Sequence, residues 1–270
     1  MDLSAARHAF VTGGASGIGL GIADALARHG ISVTIADINE ESLDAVIGSR
    51  GSGYLGVALD VRDREAWKVA KARAETAFGS VDILVNNAGI GFNGCDVVDM
   101  DPATFDMLIA IDLIGVFNGV ACFGSEMRAR GGAHIVNTAS VMGLISGTGG
   151  RSAYSAAKSA VVALSEGMRS EMEPHNVGVS VLCPGLVTSN LDQNTATLGG
   201  HVRENIQGKD IDHGRGTRAH GMDPATAGDQ VARGIAHNLP YIITHPHYLG
   251  NIETRMDAIR ASVEVTSSPS

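Results

Sequence analysis

Short runs of apolar and β-branched residues alternate with longer amphipathic stretches along this 270-residue chain. Short apolar runs are typical of buried strands, and longer stretches with an apolar residue at every third or fourth position are typical of helices. Strands that alternate with helices form βαβ units, whose right-handed crossovers give a parallel sheet. The sequence therefore predicts an α/β fold with a doubly wound parallel β-sheet flanked by helices on both faces.

The predicted elements form one continuous series. Strands are predicted at residues 8–12, 31–36, 54–59, 81–85, 133–138, 178–182 and 241–244, and helices at 17–29, 40–47, 63–78, 102–130, 152–173, 224–238 and 252–263. A chain of this length can bury one large core, so we expect residues 1–270 to form a single domain. Residues 187–222 show little periodicity and are predicted to form a substrate lid, and residues 245–270 a C-terminal extension.

The charge balance argues against two classes of partner. The chain has 20 Lys and Arg residues against 29 Asp and Glu residues, a net charge of -9. Such a charge repels nucleic acid and anionic membrane surfaces. We find no signal-peptide pattern and no apolar run of the roughly 18 residues that span a bilayer, so we expect a cytoplasmic protein. Cys95, Cys122 and Cys183 are widely spaced, and we expect neither a disulfide framework nor a metal site.

A tyrosine and a lysine four residues apart lie near the start of the helix predicted at 152–173. Residues at this spacing share one helix face, so the phenol of Tyr154 and the ammonium of Lys158 can point into a common space. A nearby cation favours the phenolate and brings the pKa of a tyrosine from about 10 toward neutrality. Such a phenol can give and take a proton beside a carbonyl. Alone the signal is weak, because a Tyr and a Lys at this spacing often form a solvated face.

A glycine-rich turn lies between the first predicted strand and the first helix. Residues 12–19 read Thr-Gly-Gly-Ala-Ser-Gly-Ile-Gly, with Gly13, Gly17 and Gly19 in the spacing GxxxGxG. Glycines allow a tight turn and bring backbone N–H groups close to a pyrophosphate at the helix N-terminus. We therefore predict that this turn, with Ser16 and Ile18, binds a dinucleotide.

An acidic residue, Asp37, ends the second predicted strand. A carboxylate at this place accepts the ribose hydroxyls of an adenosine and repels a 2′-phosphate. No Arg or Lys lies within the glycine turn or directly after Asp37 to offset that repulsion. The sequence therefore predicts NAD, and not NADP, as the cofactor. The alternative is that Asp37 is a surface turn residue.

Two further segments follow predicted strands. Asp60 and Val61 end the third strand, and Asn87, Ala88 and Gly89 follow the fourth. Doubly wound sheets bind ligands at the carboxyl ends of their strands. We predict that the first segment contacts adenine and that the second runs beside the cofactor. Ordinary turn formation by Asp, Asn and Gly is the alternative for both.

Ser140 follows the predicted strand 133–138 and therefore lies at the same edge of the sheet. A hydroxyl at this place can stabilise an oxygen on which charge develops during hydride transfer. By itself Ser140 would be interpreted as a turn-capping serine. The presence of Tyr154 at the start of the next helix favours a catalytic role.

Together these residues resemble the short-chain dehydrogenase/reductase family. Over residues 7 to 190 the chain has, in the family's order, the glycine turn, Asp60, the Asn-Asn-Ala-Gly segment at 86–89, Ser140, Tyr154, Lys158 and Pro184-Gly185. The resemblance implies a Rossmann-like fold and a homo-oligomer, either a tetramer or a dimer. It also implies that Tyr154 is the general acid/base, that Ser140 polarises the substrate oxygen, and that Lys158 lowers the tyrosine pKa and binds the nicotinamide ribose.

The sequence departs from the family at one catalytic position. Where the family has a helical Asn that completes a proton relay to the lysine, this chain has Asp112. An aspartate accepts hydrogen bonds and favours a charged Lys158, but it does not donate as an amide does. We keep Asp112 as a candidate catalytic residue, with a buried structural carboxylate as the alternative.

The segment after the predicted strand 178–182 extends the resemblance. The resemblance implies that Pro184 and Gly185 lie along the nicotinamide and that Val187 is among the cofactor-binding residues. It also implies that Thr188 and Ser189 lie at the carboxamide of the nicotinamide. Residues 241–246 are similar to a subset of the family that includes Cα-dehydrogenases, which oxidise benzylic alcohols of lignin-derived aryl ethers. This similarity indicates a bulky, apolar or aromatic secondary alcohol as the substrate.

The leading prediction is an NAD-dependent oxidoreductase that interconverts a small-molecule secondary alcohol and a ketone. Two alternatives stay open: an NAD-using epimerase or dehydratase, and a catalytically inert NAD(H)-binding sensor or scaffold. Related epimerases usually have another glycine spacing and a larger C-terminal domain, while intact Ser140, Tyr154 and Lys158 argue against a sensor. His245 and His247 have no third ligand at a suitable spacing, so we predict a structural or surface role for both.

Overall fold

A computed structural model of the protein describes residues 1–91, 95–145, 149–189, 191 and 221–267. The strands are β1 (His8–Thr12), β2 (Ser32–Asp37), β3 (Tyr54–Ala58), β4 (Ile83–Asn86), β5 (Ala133–Thr138), β6 (Val177–Cys183) and β7 (Tyr241–Ile243). The helices are α1 (Gly17–Arg28), α2 (Glu40–Gly48), α3 (Arg64–Phe78), α4 (Pro102–Ile109), α5 (Gly115–Arg130), α6 (Ser152–Met172), α7 (Pro224–Ala236) and α8 (Leu249–Ser267).

The predicted doubly wound parallel sheet is confirmed. Its strands lie in the order β3-β2-β1-β4-β5-β6-β7, and all neighbouring strands are parallel. The chain winds outward from β1 in one direction and then from β4 in the other, so β1 and β4 are neighbours at the switch point. A crevice opens there at the carboxyl ends of the strands, which is where such sheets bind ligands.

The central strand β1 is buried along its whole length, and its alternating side chains enter cores on opposite faces of the sheet. On one face Phe10 packs against Trp67 and Phe123, with ring centroids 5.8 and 5.1 Å away. On the other face Val11 lies in a core that includes Leu26 of α1. Burial on both faces explains why the middle of this strand, Ala9-Phe10-Val11, is continuously apolar and not alternating.

Two glycines bring α1 and α7 into backbone contact. A Cβ atom at Gly21 would lie 2.0 Å from the carbonyl oxygen of Pro224, and one at Gly228 would lie 2.0 Å from the carbonyl oxygen of Gly21. No side chain fits at either position, so these glycines permit the close packing of the two helices. The helix that follows the glycine turn is thereby held against the body of the fold.

The long helix predicted at 102–130 is divided. α4 ends at Ile109, α5 begins at Gly115, and a π-helical turn over Ala110–Ile114 joins them. Single π-turns inside helices are rare and often occur at functional sites. By length and composition the stretch Pro102–Arg130 is able to cross a membrane. However, 50% of its most apolar segment of 18 residues is buried within the fold, as in a core helix.

Other element boundaries differ from the prediction by a few residues. The C-terminal helix, predicted at 252–263, extends over Leu249–Ser267, and β7 ends at Ile243. The lid predicted at 187–222 lies largely outside the described residues, because 190 and 192–220 are not among them. Its two described ends meet where Val187 pairs with Met222.

Candidate active site

The glycine turn lies against the end of β4 in backbone contact. Gly13 and Gly17 have φ angles of +60° and +51°, which favour glycine because it lacks a Cβ atom. A Cβ atom at Gly13 would lie 2.9 Å from the Cα atom of Ala88, and one at Gly19 would lie 2.2 Å from the carbonyl oxygen of Gly13. The predicted turn and the predicted 87–89 segment are therefore two walls of one narrow crevice, at the N-terminus of α1.

A threonine that the sequence analysis did not single out joins these two walls. Thr12 is the last residue of β1, and its Oγ1 accepts hydrogen bonds from the backbone N–H groups of Asn87 (2.9 Å) and Ala88 (3.0 Å). The side-chain amide of Asn87 donates in return to the carbonyl oxygen of Thr12 at 3.0 Å. Its position directly before the first glycine of the turn is the sequence feature by which Thr12 could have been identified.

The carboxylate of Asp37 lies beside the glycine turn at the end of β2. Its Oδ2 accepts a hydrogen bond from the backbone N–H of Ala15 at 3.1 Å, and its Oδ1 accepts one from Asn39 at 3.0 Å. A cavity opens next to it, lined by Gly13, Asp37, Ile38, Leu59, Asp60, Val61, Arg62, Ala88, Gly89, Ile90 and Ile111. The structure thus brings Asp37, the third-strand segment and the fourth-strand segment to one cavity.

An arginine, Arg62, belongs to this cavity and was missed from the sequence. Its guanidinium forms a bidentate pair with Asp60, with the shortest N–O distance at 2.6 Å. The pair lowers the pKa of the Asp60 carboxyl and raises that of the Arg62 guanidinium. Its position two residues after Asp60 is the sequence feature that indicates it, whereas the cofactor prediction rested on the glycine turn and the residues directly after Asp37.

The residues present fit a bound dinucleotide. Gly13 and Gly17 have positive φ angles, and their missing Cβ atoms let Ala88 and Ser189 pack against them. The turn is therefore tight at the N-terminus of α1, where backbone N–H groups favour a phosphate. Ser16 is the residue before α1 and makes no side-chain capping bond, and Ile18 in the first turn of α1 packs against the core. A carboxylate and a cavity next to the turn match the ribose and base of an adenosine.

Tyr154, Lys158 and Ser140 come together at the carboxyl edge of the same sheet. The Lys158 ammonium is buried 5.7 Å from the centre of the Tyr154 ring and donates a hydrogen bond to the carbonyl oxygen of Thr138 at 3.3 Å. Ser140 lies just beyond β5, where its Oγ accepts from the backbone N–H of Met142 at 3.2 Å. The side chains of Tyr154 and Lys158 therefore lie on one face of α6, as their spacing of four residues predicts.

Asp112 lies in the π-helical turn and is completely buried. Its Oδ1 accepts a hydrogen bond from the backbone N–H of Ile90 at 2.8 Å, and its Oδ2 lies 3.6 Å from Nζ of Lys158. At that separation the two groups form an ion pair without a direct hydrogen bond, and Oδ2 has no hydrogen-bond partner among the described residues. Burial raises the pKa of the Asp112 carboxyl, and the Lys158 charge opposes that shift.

The pKa of Tyr154 corrects one expectation. The sequence analysis predicted that Lys158 would bring the phenol toward neutrality, but in this structure burial raises the pKa of Tyr154 above its ordinary value. The charge of Lys158 lowers it, the charge of Asp112 raises it, and Ser140 and Arg151 lower it further. Desolvation outweighs the cation because a buried phenolate loses the water that stabilises its charge.

The segment after β6 reaches the glycine turn and the C-terminal region. The carbonyl oxygen of Pro184 accepts a hydrogen bond from the Ser140 hydroxyl at 3.5 Å, and the backbone N–H of Gly185 donates to Oγ1 of Thr244 at 3.1 Å. A Cβ atom at Gly17 would lie 2.8 Å from the Cβ atom of Ser189.

The two residues before Ser189 point elsewhere. The backbone N–H of Thr188 donates to the carbonyl oxygen of Met222 at 3.0 Å, and Val187 is buried beside the same residue. Of the two hydroxyl residues predicted at the carboxamide, Ser189 is thus the one that contacts the glycine turn.

A model of a known protein family covers the same residues. The family described as short chain dehydrogenase matches residues 7–197, which include the glycine turn, Ser140, Tyr154 and Lys158. The chain belongs to the short-chain dehydrogenase family. Members of this family are oxidoreductases that act on small molecules and bind NAD(P).

Individual relatives match two thirds or more of the chain. The C alpha-dehydrogenase of Sphingobium sp. (strain NBRC 103272 / SYK-6) is 34% identical over 266 residues, which cover 94% of this chain and 86% of that protein. The trans-4-hydroxycyclohexanecarboxylate dehydrogenase of Sinomonas cyclohexanicum is 37% identical over 195 residues, 69% of this chain and 74% of that protein. A solved short chain dehydrogenase/reductase from Burkholderia phymatum in complex with NAD has a TM-score of 0.84 and 28% identity, and covers 100% of this chain and 98% of that one.

Replacing Asp112 by Asn tests how this short-chain dehydrogenase sets the charge around its tyrosine. The Asp112 carboxylate cancels part of the positive charge that Lys158 presents to Tyr154, so Asp112→Asn is expected to lower the pKa of the phenol. The measurement is the ultraviolet titration of tyrosinate in Asp112→Asn, with Asp112→Asn/Tyr154→Phe as the matched blank. An unchanged or higher pKa in the single variant would show that Asp112 carries no negative charge beside the phenol.

Proposed function

We propose that this short-chain dehydrogenase is an NAD-dependent oxidoreductase that interconverts a secondary alcohol and a ketone, with Tyr154 as the general acid/base. The observation that carries the proposal is the meeting of Tyr154, Lys158 and Ser140 at the sheet edge where the cavity beside the glycine turn also opens. A phenol beside a buried ammonium and a hydroxyl is suited to exchange a proton with an alcohol oxygen. The cofactor, when bound, supplies the site that accepts or gives the hydride.

Each residue has a separate role in this proposal. Tyr154 takes the proton of the alcohol during oxidation and returns it during reduction. The Ser140 hydroxyl, held by the backbone of Met142, donates a hydrogen bond to the substrate oxygen as its charge develops. Lys158 stabilises the phenolate and contacts the cofactor ribose, and Asp112 pairs with Lys158 in its buried position.

The cofactor choice rests on the charges around the adenosine end of the crevice. Asp37 presents its carboxylate beside the glycine turn, where it accepts ribose hydroxyls and repels a 2′-phosphate. Arg62 lies in the same cavity, but its guanidinium is bound in a bidentate pair to Asp60 and is not directed at Asp37. The likeness to a solved short chain dehydrogenase/reductase in complex with NAD also supports NAD.

The remaining predicted residues follow the length of the cofactor. We assign the pyrophosphate to the glycine turn and the adenine to the Asp60 segment. We assign the middle of the cofactor to the segment after β4 and the nicotinamide end to the segment after β6. The residues are Gly13, Ser16, Gly17, Ile18, Gly19, Asp60, Val61, Asn87, Ala88, Gly89, Pro184, Gly185, Val187, Thr188 and Ser189. Of these residues, Gly13, Asp60, Val61, Ala88 and Gly89 line one cavity, and Ser189 lies against Gly17.

For the substrate we propose a bulky or aromatic secondary alcohol. The overall likeness to a C alpha-dehydrogenase supports this class. The structure adds that the rings of His245 and Tyr248 lie against Gly185, where a Cβ atom would approach each ring to 2.8 Å. Aromatic rings next to the nicotinamide end provide a flat apolar surface for an aromatic substrate.

We also propose that the enzyme is a cytoplasmic homo-oligomer, a dimer or a tetramer. Phe105, Ile114 and Phe117 on the α4–α5 stretch are 37%, 37% and 45% exposed. Large apolar side chains that stay exposed on a helical stretch are typical of subunit interfaces. This stretch is therefore the surface through which we expect subunits to meet.

Replacing Tyr154 by Phe removes only the hydroxyl that exchanges the proton. We expect Tyr154→Phe to retain dinucleotide binding and to lose alcohol turnover by at least about 100-fold. Tyr54→Phe is the control, because that hydroxyl donates to Asp24 of α1 and not to the residues around Tyr154. Steady-state rates and a fluorescence titration with NADH measure the two effects, and turnover near the wild-type rate in Tyr154→Phe would exclude it as the acid/base.

Replacing Asp37 tests the cofactor assignment. We expect the wild type to bind NADH more tightly than NADPH, and Asp37→Ala to narrow that difference by about tenfold or more, because the repulsion of the 2′-phosphate is removed. Asp37→Asn is the companion variant, since it keeps an acceptor for the backbone N–H of Ala15. Dissociation constants for both cofactors provide the measurement; tighter binding of NADPH by the wild type contradicts the assignment.

A further inference from the structure

The C-terminal helix α8 stands away from the rest of the chain. None of its residues is buried. Arg255 provides an anchor to the body of the fold, because its guanidinium donates a hydrogen bond to the carbonyl oxygen of Gly143 at 3.2 Å. A helix of 19 residues is about 28 Å long, so α8 presents a long surface that its own chain leaves exposed.

One side of α8 has a regular apolar stripe. Large apolar residues follow each other at intervals of three, four, three and four residues, namely Leu249, Ile252, Met256, Ile259 and Val263. Leu249, Met256, Ile259 and Val263 are 44–57% exposed. This spacing is the heptad pattern by which two helices pack side by side, and a soluble protein rarely leaves such a stripe uncovered.

The charges on α8 favour a protein partner over a membrane surface. The helix has two basic and three acidic residues: Arg255, Arg260, Glu253, Asp257 and Glu264. Helices that lie on anionic membranes have a strongly basic polar side. α8 is instead slightly acidic and has charges of both signs beside its stripe, as helices that pair with each other do.

The order of these charges selects the direction of pairing. In the heptad pattern Glu253 and Arg260 flank one edge of the stripe, and Arg255 flanks the other edge. If two copies of α8 pack antiparallel, Glu253 of each copy lies opposite Arg260 of the other. If they pack parallel, Arg255 lies opposite Arg260 of the other copy, and the like charges repel.

We propose that α8 is an interaction surface that pairs in the antiparallel direction with α8 of a second copy of this chain. The stripe then closes on itself, with Met256 of each copy beside Ile259 of the other. Arg260 forms an exposed pair with Asp257 of its own helix at 2.9 Å, which contributes little and is readily exchanged. The proposal is separate from the catalytic assignment and from the α4–α5 surface.

Charge reversal tests the direction of pairing. The full-length wild type, Glu253→Arg, Arg260→Glu and the double reversal are compared by sedimentation velocity over a series of protein concentrations. Each single reversal is expected to weaken association about tenfold, because two attractive pairs become repulsive, and the double reversal is expected to restore it. Strengthened association in Arg260→Glu together with no effect of Glu253→Arg would indicate parallel pairing and overturn the proposal.

Charge placed within the stripe tests the surface itself. Met256→Glu/Ile259→Glu is expected to sediment as a smaller assembly than the wild type at the same concentration. Ala261→Glu adds a charge on the opposite side of α8 and is the matched control, expected to behave as the wild type. Because these positions are exposed within one subunit, the fold of the subunit is expected to remain intact in all these variants. The proposal would be overturned if Met256→Glu/Ile259→Glu formed an assembly of the same size as the wild type at the same concentration.

Discussion

A buried ion pair between Lys158 and Asp112 connects the elements that form the active site. The two groups are 3.6 Å apart, Lys158 also reaches the end of β5 at Thr138, and Asp112 also holds the backbone of Ile90 after β4. Removing two charges from water costs several kcal/mol each unless they are paired. The pair therefore ties the position of α6, and with it Tyr154, to the carboxyl edge of the sheet.

The same pair determines the electrostatics of the tyrosine. A lone buried ammonium would stabilise the phenolate strongly, whereas a carboxylate beside it returns the local charge toward zero. With burial added, the pKa of Tyr154 lies above its ordinary value in this structure. In the proposed mechanism, the proton affinity of the phenol thus depends on Asp112, which acts through its pairing with Lys158.

Much of this site was predictable because its residues follow from strand order. The alternation of elements places Asp37, Asn87 and Ser140 after parallel strands, and all such ends meet at one edge. The π-helical turn at Ala110–Ile114 was not predictable, because one inserted turn hardly changes the apolar pattern of a long helix. The pairing of Arg62 with Asp60 depends on a loop conformation, and the Tyr154 pKa depends on burial by distant parts of the chain.

The central claim is net hydride transfer between an alcohol and NAD at this site, and its most direct test is a turnover assay. Secondary alcohols from small aliphatic diols to bulky benzylic ones are offered at alkaline pH, with NAD and NADP in parallel. The account predicts NADH formation from at least one bulky or aromatic member, with NADP much less effective. Absence of turnover across the panel by protein that still binds NADH would contradict it and favour a non-catalytic dinucleotide-binding role.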